Sequence, residues 1–541
     1  MTVLLECKNI SIEYGDFKVL DNINLKIKEG EKLAIVGNNG GGKTTLANII
    51  YGSIKAEGSV KWFKKNTRIG YMKQATDYVK GYDALSGGEK TKKLLTEVLY
   101  GNYDMLILDE PTNHLDYLGV EWLVKSIKKF KGTVLIISHD RYFLDKCVNR
   151  IIEIEDKKIT EYNGNYSFYR EKKNKDYEDA LHEYKNQEAK KAAINKQIDE
   201  LKRWSQKAHR DSTKKAKTAG CKMGVKEFYR AKAKKKDIQV KSKIKKLEKL
   251  NTEGIDKPKE EDKIIFKIRE AEKTGSVVLR AENISKSYDN KVIFNKSSFY
   301  IKRNEKIGLY GVNGCGKTTL VKAILGELNI DGSLYINKDS RIGYISQEVI
   351  GLDEEKSIID IFPKEDRKSL GDIITKLDLL GFKKDTLNRK IKVLSLGEKM
   401  KLKILSMIEE DCDILILDEP TNHIDLHVRE QLESVLVNYT GTILLVTHDR
   451  YMLEKVCDKL LVFKDNTISR WEYGINEYLD KINNTKKEKS EEQLIILNNK
   501  ISCVLSELSM CQIGSERYME LDKEYKELIL EKRSLLSYYN K

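Results

Sequence analysis

Proline is nearly missing from this chain: there are four in 541 residues, and none lies between residues 166 and 254. A stretch that lacks the residue most disruptive to helices can carry them without interruption. Long apolar runs are missing too. No window approaches the roughly 18 apolar residues that a membrane helix needs. The longest runs, such as Val134-Leu-Ile-Ile137 and Ile443-Leu-Leu-Val446, have the length of buried strands. The opening residues Met1-Thr-Val-Leu-Leu-Glu-Cys-Lys8 show no basic segment followed by an apolar core, so no signal peptide is expected and the expected location is cytoplasmic. The eight cysteines (Cys7, Cys147, Cys221, Cys315, Cys412, Cys457, Cys503 and Cys511) have no short paired spacing. That scatter argues against a disulfide framework or a cysteine metal site and favours reduced thiols.

Charge, by contrast, is abundant and unevenly placed. Charged residues make up 34% of the chain and the net charge is +15. Residues 201–250 hold 19 Lys or Arg against 4 Asp or Glu, a surplus equal to that of the whole chain. A block of this kind is an electrostatic footprint for a polyanion, whether RNA, DNA or a membrane surface. Length and composition together point to two to four soluble domains.

Two near-copies of one set of motifs organise the rest. Gly37-Asn-Asn-Gly-Gly-Gly42-Lys43-Thr44 follows the apolar strand Lys32-Leu-Ala-Ile-Val36 and precedes a helical pattern, the context a phosphate-binding loop requires. Backbone N–H groups around Gly37, Asn38, Gly40, Gly42 and Thr45 are expected to close on phosphates at a helix N-terminus. Lys43 is expected to reach the β- and γ-phosphates, and the Thr44 hydroxyl to ligate Mg²⁺. Gln74, at the end of Arg68-Ile-Gly-Tyr-Met-Lys-Gln74, is a candidate to ligate the metal or position water. Asp109 and Glu110 close an apolar strand, so both carboxylates emerge at its C-terminal end, where α/β sheets bind ligands. Asp109 is expected to hold Mg²⁺ and Glu110 to polarise the attacking water. His139 follows the strand Thr133-Val-Leu-Ile-Ile137 as a candidate sensor of the γ-phosphate. The second copy carries Gly311, Asn313, Gly314, Gly316, Lys317, Thr318, Thr319, Gln347, Asp418, Glu419 and His448 at the matching places.

The offset between copies is about 274 residues at the lysines and about 309 at Asp109/Asp418 and His139/His448. The halves therefore differ between the glutamine and the Leu-Ser-x-Gly-Glu stretch. There the first half has only Ala75 to Ala84, and the second is expected to carry a helical insert from about Glu348 to Val393. Between the halves, sparse apolar positions and dense charge suit a solvated helical pair. Two arms of about 40 residues would each extend roughly 60 Å. Their reversal is expected between Ala208 and Gly224, where Asp211-Ser-Thr213 and the glycines interrupt good helix formers. Trp204, Phe228 and Tyr229 stand there among Lys207, Arg210, Lys214, Lys215 and Arg230. Basic groups bind phosphates and aromatics stack on bases, so the mixture fits RNA. The alternative is a solvated coiled coil whose aromatics staple the two helices. The tail from about Ile482, with Leu494, Ile495, Leu497, Ile501, Leu505 and Leu508 at helical spacing, is expected to form a second, shorter helical hairpin, with an ordinary solvated coiled coil as the default role.

The ordered set of phosphate loop, glutamine, Leu85-Ser-Gly-Gly-Glu89 or Leu394-Ser-Leu-Gly-Glu398, Asp-Glu and histidine resembles the ATP-binding-cassette ATPases. Asp-Glu-Pro-Thr-Asn-His-Leu-Asp116 with Ser138-His-Asp-Arg-Tyr-Phe-Leu144 resembles the ABC-F subgroup specifically, over residues 3–485 or so. The resemblance implies an α/β chain with two ABC-type nucleotide-binding domains, at 1–164 and 258–481. It also implies a basic helical hairpin at 165–257 and a helical extension at 482–541. It implies Mg²⁺-dependent ATP hydrolysis in a monomer whose cassettes close head-to-tail. Lys43 would share one ATP with Ser395 and Gly397, and Lys317 the other with Ser86, Gly87 and Gly88. Tyr14 and Tyr288 match the aromatic that stacks on adenine, with a buried structural tyrosine as the alternative.

The resemblance further implies the 70S ribosome as partner, bound at the tRNA exit site, with the basic linker pushed toward the peptidyl-transferase centre and contacting 23S rRNA and the P-site tRNA. The trimmed first cassette, long linker and helical extension resemble the antibiotic-resistance members that displace pleuromutilins, lincosamides and streptogramin A. A translation factor that clears stalled ribosomes and the ATPase subunit of a transporter are the other readings. Leu396 stands where glycine is commoner, a departure expected to weaken one γ-phosphate contact and make the two sites unequal.

Overall fold

Apolar runs that are continuous rather than alternating belong to strands covered on both faces. In the first half, β3 (Lys32–Gly37), β5 (Ile69–Met72), β6 (Met105–Asp109), β7 (Thr133–Ile137), β8 (Arg150–Glu155) and β9 (Lys158–Tyr162) form one sheet in the order β5-β6-β7-β3-β8-β9. All pairs are parallel except the edge pair β8–β9, and every residue of β6 and β7 is buried. A smaller antiparallel sheet, ordered β2-β1-β4, comprises β1 (Val3–Tyr14), β2 (Phe17–Lys28) and β4 (Glu57–Trp62). Leu5, Ile10, Leu20 and Ile23 of this sheet pack with Ile35, Leu135 and Ile152. The opposite face of the six-stranded sheet packs on α2 (Gly87–Tyr100), α3 (Tyr117–Lys129) and α4 (Arg141–Cys147), through Leu95, Leu123, Ile127 and Phe143. The phosphate loop leads into α1 (Lys43–Tyr51).

The structure is a computed structural model that describes the chain except at residues 1, 16, 74–86, 219–222, 253–276, 290, 338–339, 347–350, 363–366, 383, 411, 422–423, 425, 483, 485–496, 498–499, 502–503, 505–515 and 540–541. It describes the backbone alone at several helical positions, 208–218 and 223–233 among them.

Among its described residues the linker forms two helices, α5 (Tyr166–Thr218, 53 residues) and α6 (Met223–Thr252, 30 residues). Ile194 and Ile198 of α5 pack on Val240 of α6. The arms are unequal: α5 runs through Asp211-Ser-Thr213 and ends at Thr218, and α6 begins at Met223, within the stretch 208–224 expected to hold the reversal. Ser, Thr and Asp cost only about 0.5 kcal/mol each in a helix, too little to end one without glycine or proline.

The second half repeats the first. Its sheets are β11-β10-β13, from β10 (Val277–Tyr288), β11 (Lys291–Lys302) and β13 (Asp331–Ile336), and β14-β15-β16-β12-β17-β18. The larger comprises β12 (Lys306–Tyr310), β14 (Ile342–Ile345), β15 (Ile414–Asp418), β16 (Thr442–Val446), β17 (Lys459–Lys464) and β18 (Thr467–Trp471). Helices α7 (Lys317–Ile324), α9 (Leu396–Glu409), α10 (Leu426–Asn438) and α11 (Arg450–Val456) occupy the places of α1 to α4. Among its described residues, the segment expected as a helical insert carries the α-helix α8 (Arg367–Leu379) and three short 3₁₀ turns. Ile358, Phe362, Leu377 and Ile391 bury it in the core of the second half, so packing rather than helix propensity shapes it. Of the C-terminal extension, Leu497, Ile501 and Leu521 are buried and α12 spans Glu516–Tyr539. Leu494, Ile495, Leu505 and Leu508 lie outside the described residues, as does the boundary expected at 257/258.

Candidate functional site: two paired phosphate-loop centres

The C-terminal ends of β3, β6 and β7 bring the first set of candidate residues together. Gly42, at φ 93°, sits in the left-handed region and turns the chain from loop to α1. An added Cβ there would also meet Leu20 Cδ2 at 2.8 Å, so only glycine fits. The first-turn amides of α1 are thereby aimed at the loop's concavity, which favours an anion. Lys43 Nζ donates to the carbonyls of Gly37 (2.8 Å) and Asn38 (2.9 Å), which holds the ammonium across the loop. The Thr44 hydroxyl donates to Asp109 Oδ2 at 2.8 Å. Asp109 Oδ1 is buried with no hydrogen-bond partner, and burial raises its carboxyl above the usual range. A hydroxyl beside one carboxylate is the hard-oxygen set that Mg²⁺ takes together with substrate phosphates. The residues present fit that ion. Among the described residues no cluster of three or more His, Cys, Asp or Glu forms a separate metal site.

Glu110 follows at φ 50°, an unusual conformation for a residue with a side chain, and Glu419 repeats it at φ 51°. Glu110 N donates to Ile137 O and Glu419 N to Val446 O, both at 2.8 Å, which holds each residue to the neighbouring strand. Strain of this type costs about 1–3 kcal/mol and is typical of functional sites. The twist turns Glu110 Oε1 to within 3.5 Å of His139 Nε2, and Glu419 Oε1 to within 3.6 Å of His448 Nε2. Burial, with Asp109 adding to it, pushes Glu110 up to about 7; burial pushes Glu419 up to about 8. Burial, reinforced by Lys43, holds His139 well below its ordinary range, and burial with Lys317 brings His448 to about 3. Both imidazoles are therefore neutral near pH 7, and each His–Glu contact is polar rather than ionic.

The second centre repeats the first. Lys317 Nζ donates to Gly311 O (2.9 Å) and Val312 O (3.2 Å) and lies 3.4 Å from His448 Nε2. Thr318 hydrogen-bonds Asp418.

The two halves also meet here. A cavity of about 430 Å³ is lined by Gly87, Gly88 and His114 of the first half and by Gly314, Lys317, Thr319, Glu419 and His448 of the second. The Asn313 backbone N donates to Asp116 Oδ2 (3.1 Å), and its side chain donates to His114 O (2.9 Å). Thus Lys317 shares a cavity with Gly87 and Gly88 of the first signature; Ser86 lies outside the described residues, as do Gln74 and Gln347. A second cavity of about 340 Å³ holds Gly40, Lys43, Thr45, Asp109, Glu110 and His139 against Thr421, Ile424 and Arg429. Among the described residues, Ser395 and Gly397 of the second signature do not line it. Ser395 instead caps α9, with its N–H and hydroxyl both engaged by Glu398, and an added Cβ at Gly397 would press on Val428 at 3.0 Å. Tyr14 and Tyr288 are 53% and 45% exposed, which removes the buried structural reading. Phe17 and Val19 border Gly37, Asn38 and Gly41, a neighbour to the loop that the sequence reading missed.

Also missed was the ionic cluster between the halves. Arg141 reaches Glu433, which is fully buried, and Asp449 Oδ2 at 3.2 Å. Arg429 Nη1 donates to Asp449 Oδ2 (3.2 Å) and to His139 O (2.9 Å). Burial raises the Asp449 carboxyl, and Arg141 and Arg429 more than reverse it, leaving it lowered. Arg141 stands inside a recognised motif, yet its partner Glu433 is 292 residues away and carries no local signal.

Two such centres, each with phosphate loop, Thr–Asp pair, strained glutamate and neutral histidine at the sheet edge, define a tandem ATP-binding-cassette ATPase. A family profile described as ABC transporter matches residues 20–80 and 294–422, and a second with the same description matches 152–221. The chain is 36% identical to ribosome protection protein VmlR of Bacillus subtilis (strain 168), over 98% of this chain and 97% of that one. It is 30% identical to ATP-binding protein Uup of Buchnera aphidicola subsp. Schizaphis graminum over 90% and 84%, and 28% identical to ABC transporter F family member 2 of Arabidopsis thaliana over 88% and 78%. The chain belongs to the ABC-F family. A solved structure titled RNase-L Inhibitor superposes with a TM-score of 0.59 over 88% of this chain and 92% of that one, at 20% identity, a likeness of fold. Among the described residues no helix is long and apolar enough to cross a membrane.

The raised glutamates set a pH dependence. If the ionised carboxylate is the working form, kcat/KM for ATP climbs through pH 7 to 8 instead of reaching its plateau near pH 5.5. Steady-state turnover measured from pH 6 to 9 checks this; a flat profile contradicts it.

Proposed function

We propose that the protein binds the 70S ribosome from the tRNA exit site when its cassettes hold ATP, and that it protects the peptidyl-transferase centre from antibiotics. Pleuromutilins, lincosamides and streptogramin A are the expected classes. The observation that carries this reading is 36% identity along 98% of the chain to a protein named for ribosome protection. The mechanism finds support in the fold. Loop amides with Lys43 and Lys317 would hold phosphates; Thr44 with Asp109 and Thr318 with Asp418 would hold Mg²⁺. The ion would neutralise phosphate charge. Glu110 and Glu419 take the proton of the attacking water, steadied by the neutral His139 and His448. Gly87 and Gly88, on the far side of the cavity from Lys317, complete one phosphate shell only when the halves are together, so ATP favours the closed form.

The linker is the working arm. Exposed Lys234, Lys235, Lys241 and Lys245 of α6 offer charge to rRNA phosphates, and Lys207 lies near the far end of α5. Trp204 is exposed on α5, with Lys236 of α6 5.7 Å from its ring centroid, so it also braces the pair. The side chains of Arg210, Lys214, Lys215, Phe228, Tyr229 and Arg230 are outside the described residues and complete the proposed contact region. The chain acts as a cytoplasmic monomer. Expression in a drug-sensitive strain is expected to raise the inhibitory concentration of at least one of the three drug classes. Unchanged susceptibility to every peptidyl-transferase inhibitor, with ribosome binding intact, favours a factor that clears stalled ribosomes.

A further inference from the structure

Two adjacent residues of α10 reach the first cassette and the linker helix that follows it. Arg429 donates to the carbonyl of His139, the residue that faces the nucleotide site from the end of β7. Glu430, the next residue, accepts from the Tyr166 hydroxyl at 3.3 Å and pairs with Arg170 at 2.7 Å. Tyr166 opens the linker helix α5, and Arg170 stands one turn on, on the same face. From the other side the first cassette grips the same turns: Tyr169 donates to Glu153 Oε1 of β8 at 2.6 Å, and Lys173 pairs with that carboxylate. The base of α5 is thus clamped between β8 of its own cassette and α10 of the other.

Leverage makes this clamp consequential. A helix of 53 residues extends about 80 Å at 1.5 Å per residue, so a tilt of about 5° at the base moves the far end by about 7 Å. One packed helix cannot move Arg429 without moving Glu430. We infer that Glu430 is a positioning residue, through which α10 transmits the state of the first nucleotide site to the direction of the linker. The inference rests on the proposed function for its purpose, but the coupling has a readout that needs no ribosome.

Three forms of the full chain test it: the native sequence, Glu430→Arg, and Glu430→Arg combined with Arg170→Glu. Hydrogen exchange over residues 166–173 is measured with and without ATP, beside ribosome-free ATP turnover. The native chain is expected to gain protection in ATP. Glu430→Arg loses that gain while turnover stays within about twofold, and the exchanged pair restores it. Retained protection in Glu430→Arg overturns the inference. So does a matching fall in turnover that the exchanged pair fails to repair, since it marks a purely structural role. Co-sedimentation with ribosomes is read separately: its absence in the native chain removes the ribosomal reading and leaves the exchange result to decide the coupling.

Discussion

Replacing Glu110 and Glu419 together by glutamine lowers ATP turnover by about two to four orders of magnitude, the usual contribution of a positioned general base. The doubly substituted protein then pellets with ribosomes when ATP is present. The substitution is close to isosteric, and an amide oxygen can still accept the long hydrogen bond that His139 N gives to Glu110 at 3.4 Å. The left-handed backbone at both positions stays as strained as before. What is lost is the ability to take a proton. A closed form that forms and cannot discharge accumulates, which is why turnover and pelleting should move in opposite directions. Centrifugation of ribosomes with purified protein in ATP and in ADP reads the second quantity. Substituted protein left in the supernatant in ATP contradicts a hydrolysis-driven release.

The second large effect belongs to the linker. Changing Lys234, Lys235, Lys241 and Lys245 to glutamate is expected to weaken ribosome binding by about a hundredfold near physiological salt and to flatten its salt dependence, because fewer counterions are released. All four side chains are exposed, none joins the Ile194–Ile198–Val240 contact, and glutamate and lysine have similar helix propensity. ATP turnover without ribosomes therefore stays at the native level. Binding titrations at several salt concentrations decide the matter; an unchanged slope rules out these lysines as phosphate contacts.

Much of this architecture was legible because it is written locally. Continuous apolar runs such as Met105–Leu108 and Val134–Ile137 announce strands covered on both faces, and the loop pattern Gly37–Thr44 needs only its neighbours to be understood. Repetition of the same motifs in the same order, at offsets of about 274 and then about 309 residues, turned single residues such as His139 into pairs. Three things were not legible. The length of α5 depended on weak propensities at Asp211-Ser-Thr213, too small to end a helix without glycine or proline. The segment from Glu348 to Val393 takes its form from Ile358, Phe362 and Leu377 being buried, which no local period encodes. The cluster of Arg141, Arg429, Glu433 and Asp449 depends on two halves meeting, so its partners lie up to 308 residues apart.

That cluster has a consequence beyond holding the halves together. Charges taken out of water gain little net energy from pairing, whereas stranding one of them costs about 3–5 kcal/mol. Glu433 is fully buried and depends on Arg141 from across the boundary, with Lys455 of its own half at 3.1 Å. Docking displaced by a single helical turn would leave that carboxylate dry and short of its guanidinium. The four residues therefore act less as an adhesive than as an alignment check, tolerant of separation and intolerant of misregistration. If the cassettes open and shut as proposed, they gain from that asymmetry, because a pair of this kind is hard to close wrongly.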